Sequence, residues 1–153
     1  MLDLLEAPAT LSQIDRRRIN TVVRKKVRRE GDAPARVLVV EDTADVRKLI
    51  KFLLQDAGVQ VMALGDGRSA AEMIENWPAP DLVIMDRMLP FLSGDELIQQ
   101  IRASDVWGRV PIVVVSAKAR SDDIAQSMAD GADDYVTKPF NPKHFAEVIH
   151  QYV

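Results

Sequence analysis

The segment DLVIMDRMLPFLSG, residues 81–94, places a short apolar run directly before an aspartate and a proline-containing loop. The run Leu82–Met85 is continuously apolar, which is typical of a parallel strand that helices cover on both faces. Ser93 and Glu96 have the spacing of a capping box, so a helix is predicted to begin at residue 94. The segment therefore predicts a strand, a loop and a helix in succession.

The same alternation of apolar runs and helical patterns extends over residues 36–153. We predict central, buried strands at 37–40, 59–63, 82–85, 110–115 and 135–137. Helices are predicted at about 44–57, 68–76, 94–104, 121–130 and 141–152. Gly58 and Gly131 are expected at left-handed C-caps, and Asn141 before Pro142 is expected to begin the last helix. Five such units predict an α/β fold with a mainly parallel sheet.

The composition favours one compact domain and excludes several kinds of chemistry. The chain has 153 residues, of which 47% are hydrophobic, enough for one core but too few for two ordinary domains. It has no cysteine, which excludes disulfide bonds, thiolate metal sites and thiol nucleophiles. Its apolar runs are far shorter than the roughly 20 residues that span a bilayer, so we expect a soluble, cytoplasmic protein.

Residues 1–35 differ from the rest and are predicted to be a basic extension and linker to a domain at 36–153. Residues 1–36 carry 9 Lys/Arg against 5 Asp/Glu, whereas 37–153 carry 11 against 18. Ile19, Val22, Val23 and Val27 recur at helical spacing among the basic residues, which predicts an amphipathic helix. This helix could be a solvated face, pack on the domain or mediate a homodimer. Contact with nucleic acid or an acidic membrane is less favoured, because the segment has no aromatic residue.

Polar side chains follow four of the predicted strands. Glu41 and Asp42 follow the first strand, Asp86 the third, Ser116 the fourth and Lys138 the fifth. Ligands of open parallel sheets bind beyond the carboxyl ends of the strands, so these side chains are expected on one rim. Three carboxylates repel one another unless a cation lies among them, and oxygen ligands suit Mg²⁺. An ammonium and a hydroxyl beside such an ion would serve phosphoryl transfer, with an aspartyl-phosphate as one outcome.

Four motifs together resemble the receiver domain of two-component response regulators. They are VLVVED (37–42), DLVIMDRMLPFLSG (81–94), VVVSA (113–117) and DDYVTKPF (133–140). The resemblance covers residues 36–153. It implies a flavodoxin-like, doubly wound sheet of five parallel strands in the order 2-1-3-4-5.

The resemblance also implies the chemistry of the rim. Asp86 would accept a phosphoryl group from a histidine kinase or histidine phosphotransfer protein. Asp42 and Asp86, with the backbone carbonyl of Met88, would hold Mg²⁺, and Glu41 would act largely through a bound water.

The remaining family positions would sense the phosphoryl group. Lys138 would contact it, and its peptide bond to Pro139 would be cis. Ser116 and Tyr135 would move together as a switch. The result would be a change in partner binding or self-association, because no effector domain follows in residues 1–153. The alternative is that the chain is the receiver portion of a longer regulator.

The sequence departs from the family pattern at two places, and two other functions remain as alternatives. Arg87 places a cation next to the acceptor, and the sequence does not indicate where its side chain points. Met88 and Lys118 occupy positions that influence the lifetime of the modified state, and Met88 favours slow self-dephosphorylation.

A true aspartyl phosphotransfer enzyme would need an acid at the Met88 position, and a binding module with a vestigial site would not need the complete rim. His144 and His150 are expected to be surface or packing residues.

Overall fold

One parallel sheet forms the centre of the computed structural model, which describes residues 33–153. Its five strands lie in the order 2-1-3-4-5, so the predicted order and fold class are confirmed. The strands are β1 (Arg36–Val40), β2 (Gln60–Leu64), β3 (Leu82–Met85), β4 (Ile112–Ser116) and β5 (Asp134–Thr137). The basic helix predicted within residues 1–35 lies outside the described residues, so it stays a prediction.

Five helices connect and follow the strands. They are α1 (Ala44–Asp56), α2 (Gly67–Asn76), α3 (Gly94–Ala103), α4 (Ser121–Asp130) and α5 (Pro142–His150). Residues of α1 and α5 join the core on one face of the sheet, and residues of α2 and α3 join the core on the other. Within residues 33–153, none of the helices is both long and apolar enough to cross a bilayer.

Four of the predicted helix-end signals are present in the structure, although α5 ends at His150 rather than at residue 152. The Ser93 hydroxyl accepts the Glu96 N–H at 3.2 Å, and the Asn141 side chain accepts the N–H groups of Lys143 and His144. Gly58 and Gly131 have φ angles of +83° and +129°, which only glycine adopts without strain. Local side-chain chemistry therefore positions these ends.

Two strand predictions need correction. Strand β4 begins at Ile112 rather than at residue 110, because the Val110 N–H bonds to the Trp107 carbonyl and Pro111 has no N–H to contribute to the ladder. Not every strand is buried, since β2 and β5 are the two edges of the sheet. In β2, for example, the Met62 side chain is 43% exposed.

Candidate phosphoacceptor site

The sheet brings the predicted rim residues together at the carboxyl ends of its strands. Backbone bonds continue the ladder one residue beyond three strands: Glu41 N–H donates to Leu64 O, Asp86 N–H to Val40 O and Lys138 N–H to Ser116 O, all at 2.9–3.0 Å. The two carboxylates and the lysine are consequently attached directly to the sheet.

Lys138 lies between two buried carboxylates. Its ammonium donates to Asp86 Oδ2 at 2.6 Å and to Glu41 Oε2 and Oε1 at 2.8 and 3.0 Å. The Glu41 and Asp86 residues are only 1% and 6% exposed. These are charge-assisted hydrogen bonds out of full contact with water, and they fix the orientation of both carboxylates.

The pKa directions follow from burial and from this bridge. Burial of Glu41 raises the pKa of its carboxyl above the usual value, although the hydrogen bond from Lys138 opposes the shift. Burial alone would lower the pKa of the Lys138 ammonium, but its hydrogen bonds to Asp86 and Glu41 outweigh burial and raise it. Lys138 is therefore a fixed positive charge over the physiological range.

Glu41, Asp42 and Asp86 form an acidic cluster that fits a small cation. One carboxylate oxygen from each lies within 4.8 Å of the others, and Asp42 is the exposed member. Oxygen ligands with one side open to water are the donor set that Mg²⁺ prefers. Neither His144 nor His150 belongs to this cluster.

The loop after β3 passes very close to the start of α3. The Gly94 N–H donates to the Arg87 carbonyl at 2.8 Å, and a Cβ at position 94 would lie 2.3 Å from the Asp86 carbonyl oxygen. Only glycine permits this approach. The loop also holds Phe91 in the left-handed region at φ +72°, with Arg68 stacked 4.5 Å from its ring. Within the loop, the Met88 N–H donates to Asp86 Oδ1 at 3.0 Å.

Ser116 and Tyr135 meet at one backbone segment rather than at each other. The Ser116 hydroxyl accepts the Lys118 N–H at 3.3 Å, and the Tyr135 hydroxyl donates to the Lys118 carbonyl at 2.5 Å. Ser116 is buried and Tyr135 is half-buried. The two side chains are thus linked through residue 118. On the neighbouring strand end, the peptide bond between Lys138 and Pro139 is cis, as expected.

The structure shows where the Arg87 side chain points, which the sequence did not indicate. Its guanidinium turns to α3 and binds both Asp95 carboxylate oxygens at 3.1 and 3.0 Å, and it donates to the Asp123 carbonyl of α4 at 3.1 Å. The Asp95 hydrogen bonds raise the pKa of Arg87 despite its burial. Asp123 is 36 residues away, so no local pattern could have identified this contact.

Comparison with known proteins agrees with this geometry. The family described as "Response regulator receiver domain" matches residues 37–150. The phosphate regulon transcriptional regulatory protein PhoB of Escherichia coli is 39% identical over 114 residues, 74% of this chain and 49% of PhoB. The DNA-binding response regulator MtrA of Mycolicibacterium paratuberculosis is 37% identical over 108 residues, 71% of this chain and 46% of MtrA. The chain spans about half the length of these curated relatives.

Solved structures show the same fold. The chemotaxis response regulator CheY4 of Vibrio cholerae superposes with a TM-score of 0.73 at 27% identity, covering 79% of this chain and all of CheY4. The receiver domain of the sensor histidine kinase PA1611 of Pseudomonas aeruginosa superposes with a TM-score of 0.71 at 30% identity, over 78% of this chain and 98% of that domain. That domain has a magnesium ion coordinated in its active site cleft. The chain belongs to the response regulator receiver domain family.

Proposed function

We propose that Asp86 accepts a phosphoryl group from a histidine kinase or a histidine phosphotransfer protein, in a reaction that depends on Mg²⁺. The observation that supports this most directly is the 2.6 Å contact between the Lys138 ammonium and the Asp86 carboxylate. A cation held this close orients the Asp86 carboxylate and offsets negative charge beside it, which suits a carboxylate oxygen that attacks phosphorus.

The reaction would form one bond and break one bond. A carboxylate oxygen of Asp86 attacks the phosphorus of a phosphohistidine, and the P–N bond breaks. The imidazole nitrogen keeps the electron pair and takes a proton from solvent. The Met88 N–H and the Lys138 ammonium hold one carboxylate oxygen each, so they orient Asp86 for this attack.

The residues present fit a bound Mg²⁺. Asp42 and Asp86, with the Met88 carbonyl, would hold the ion, and Glu41 would act through a water. When bound, the ion supplies positive charge that offsets the negative charge of the phosphoryl oxygens. Lys138 would contact another phosphoryl oxygen, which is why we assign it to the reaction together with Asp86 and Ser116.

An apolar surface beside Lys138 suits a protein donor. Leu49 and Phe52 of α1 are 42% and 66% exposed, and Leu49 lines a groove with Phe140 next to Lys138. Exposed apolar side chains bordered by polar residues are typical of interaction sites. We assign this surface to the contact with the kinase or phosphotransfer protein.

The output of phosphorylation would be a change in binding. Ser116 and Tyr135 hold the two backbone polar groups of residue 118, its N–H and its carbonyl. A Ser116 hydroxyl that turns to a phosphoryl oxygen would therefore release the Lys118 N–H and disturb the Tyr135 contact next to it. We propose that this change alters binding to a downstream protein or to a second copy of the chain. In a longer regulator, an effector domain would take that place.

The first experiment is the intact mass of the full chain after incubation with Mg²⁺ and a small phosphodonor. We expect the mass of one added phosphoryl group, lost in Asp86→Asn and in EDTA. Asp122→Asn is the matched control, because Asp122 is an exposed acid of α4 and should leave the modification intact. The proposal would be refuted if Asp86→Asn still gained the mass. It would also be refuted if the original chain gained no mass with the small phosphodonor or with a cognate kinase. Size exclusion of the modified sample then separates self-association from partner binding.

The aspartyl phosphotransfer enzyme is the less supported alternative. Met88, at the position where such an enzyme needs an acid, contributes its N–H to Asp86, and its side chain is 61% exposed. Multiple turnover of a small phosphate ester would favour the enzyme.

A further inference from the structure

Arg87 connects two helices that follow different strands. On α3 it forms two parallel hydrogen bonds to the Asp95 carboxylate, at 3.1 and 3.0 Å. On α4 a single nitrogen, Nη1, contacts the Asp123 carbonyl at 3.1 Å and the Asp123 carboxylate at 3.4 Å. A bidentate pair with a carboxylate is the stronger and more directional arrangement. Arg87 is therefore anchored on α3, and its contact with α4 is the weaker end.

The guanidinium is enclosed, which increases the importance of both contacts. The Arg87 side chain is 8% exposed, and those of Asp95 and Asp123 are 33% and 25% exposed. Ion pairs out of water are less screened than surface pairs, and a buried charge that loses a partner is costly. An exposed arginine near the same helix end provides a contrast: Arg120 is 84% exposed, and its 3.5 Å pair with Asp122 should contribute little.

The amino end of α4 depends on such contacts from outside the helix. Its N-cap residue, Arg120, makes no side-chain capping bond to the helix. The segment before it is held at Lys118 by the Ser116 and Tyr135 hydroxyls. Arg87 is thus the third side chain that fixes the path from β4 into α4, and it is adjacent in sequence to the acceptor Asp86.

We propose that Arg87 is a clamp that holds the amino end of α4 against α3 in the unphosphorylated chain and releases α4 when Asp86 is phosphorylated. The release rests on the proposed function, because it begins when Ser116 leaves the Lys118 N–H for the phosphoryl group. The displaced segment then breaks the weaker contact with Asp123, and Arg87 stays on Asp95. The clamp sets how far the equilibrium favours the closed arrangement before phosphorylation.

Amide hydrogen exchange of the full chain, followed by mass spectrometry, tests the clamp and its release separately. The reporting amides are residues 124–127, beginning with Ile124, whose N–H bonds to the Arg120 carbonyl. In the unphosphorylated chain, Arg87→Met should speed their exchange about 10-fold or more, as expected for losing a charged hydrogen bond that protects the helix end. Arg120→Met is the matched control and should leave their exchange unchanged. Equal exchange in Arg87→Met and the original chain would overturn the clamp.

A second variant guards against misfolding of Arg87→Met. Asp95→Asn removes the charge of the anchor at a side chain that is one-third exposed, and it should speed the same amides. If both variants fold and neither affects exchange over 124–127, Arg87 is only a packing residue.

Hydrogen exchange of the phosphorylated chain tests whether phosphorylation releases α4 from Arg87. With the mass gain verified, we expect the amides of 124–127 in the original chain to exchange as fast as in unphosphorylated Arg87→Met. Phosphorylation without faster exchange would refute the release and leave the phosphoacceptor function standing. If neither the small phosphodonor nor the kinase produced the mass gain, the proposed function would be refuted instead. The comparison of Arg87→Met with the original chain, both unphosphorylated, would still show whether Arg87 holds α4.

Discussion

Replacing Lys138 with methionine tests the charge balance at the centre of the site. The ammonium contacts Glu41 and Asp86, whose side chains are 1% and 8% exposed, while its own side chain is 16% exposed. Lys138→Met keeps most of the aliphatic volume and removes the charge. Two buried carboxylates then face each other without a cation, which is the costly way to break a buried ion pair.

The expected loss of unfolding free energy at neutral pH is about 3 kcal/mol, at the low end of the roughly 3–5 kcal/mol that breaking a buried pair costs. The low end applies because burial already raises the pKa of Glu41, so without Lys138 this carboxyl is protonated more readily, which reduces the repulsion. A carboxyl whose folded pKa is raised stabilises the fold less as pH rises. The difference between variant and original chain should therefore shrink as pH falls from about 7 to about 5.

Urea unfolding of both chains at the two pH values measures this difference. Lys118→Met is the matched control, since Lys118 is an exposed lysine of the same rim and its loss should change stability by less than about 0.5 kcal/mol. Mg²⁺ should stabilise Lys138→Met more than the original chain, because the carboxylates no longer share an ammonium. A Lys138→Met chain within about 1 kcal/mol of the original at neutral pH, with no dependence on pH, would refute the reasoning.

Three further perturbations have defined outcomes. Gly94→Ala places a Cβ 2.3 Å from the Asp86 carbonyl oxygen and should cost about 2 kcal/mol in urea unfolding; an unchanged midpoint would mean that the loop yields freely. Arg102→Met removes the 2.8 Å partner of the buried Asp133 carboxylate and should cost about 3–5 kcal/mol by the same assay, so a loss below about 1 kcal/mol would contradict that role. Because the pKa of Lys138 is raised from 10.5, its contribution is complete below that pH and is lost as pH rises through the folded pKa; the alkaline loss should be absent from Lys138→Met.

The rim could be predicted from sequence because each of its residues is placed by its own strand. The continuous apolar run before Asp86 indicates a buried parallel strand, and the carboxyl ends of parallel strands meet at one edge of the sheet. The order of the strands came from the resemblance, because apolar periodicity alone does not distinguish an edge strand such as β2 from a central one. The same limit explains why β2 was expected to be buried.

The contacts that could not be predicted join residues far apart in sequence. Arg102 donates to the carbonyls of Gly131 and Val110 and to the Asp133 carboxylate, which also accepts the Ile112 N–H. Which carboxylate a half-buried arginine such as Arg102 contacts depends on how its helix packs against the next one. That packing is a property of the whole core, so an arginine in a helical pattern carries no signal for its partner.

The residues of the rim are held in two different ways, by backbone hydrogen bonds of the sheet or by side-chain contacts. Glu41, Asp86 and Lys138 are attached to the sheet by backbone hydrogen bonds that continue the ladder past the strand ends. The segment that leads from β4 into α4 is held instead by side chains, among them Ser116 and Arg87. A phosphoryl group on Asp86 would add about −1.5 to −2 charges, as other phosphorylated side chains do, and side-chain contacts respond to such a charge far more readily than a parallel ladder does. Under the proposed function, phosphorylation would therefore rearrange the α4 end while Asp86 keeps its position on the sheet.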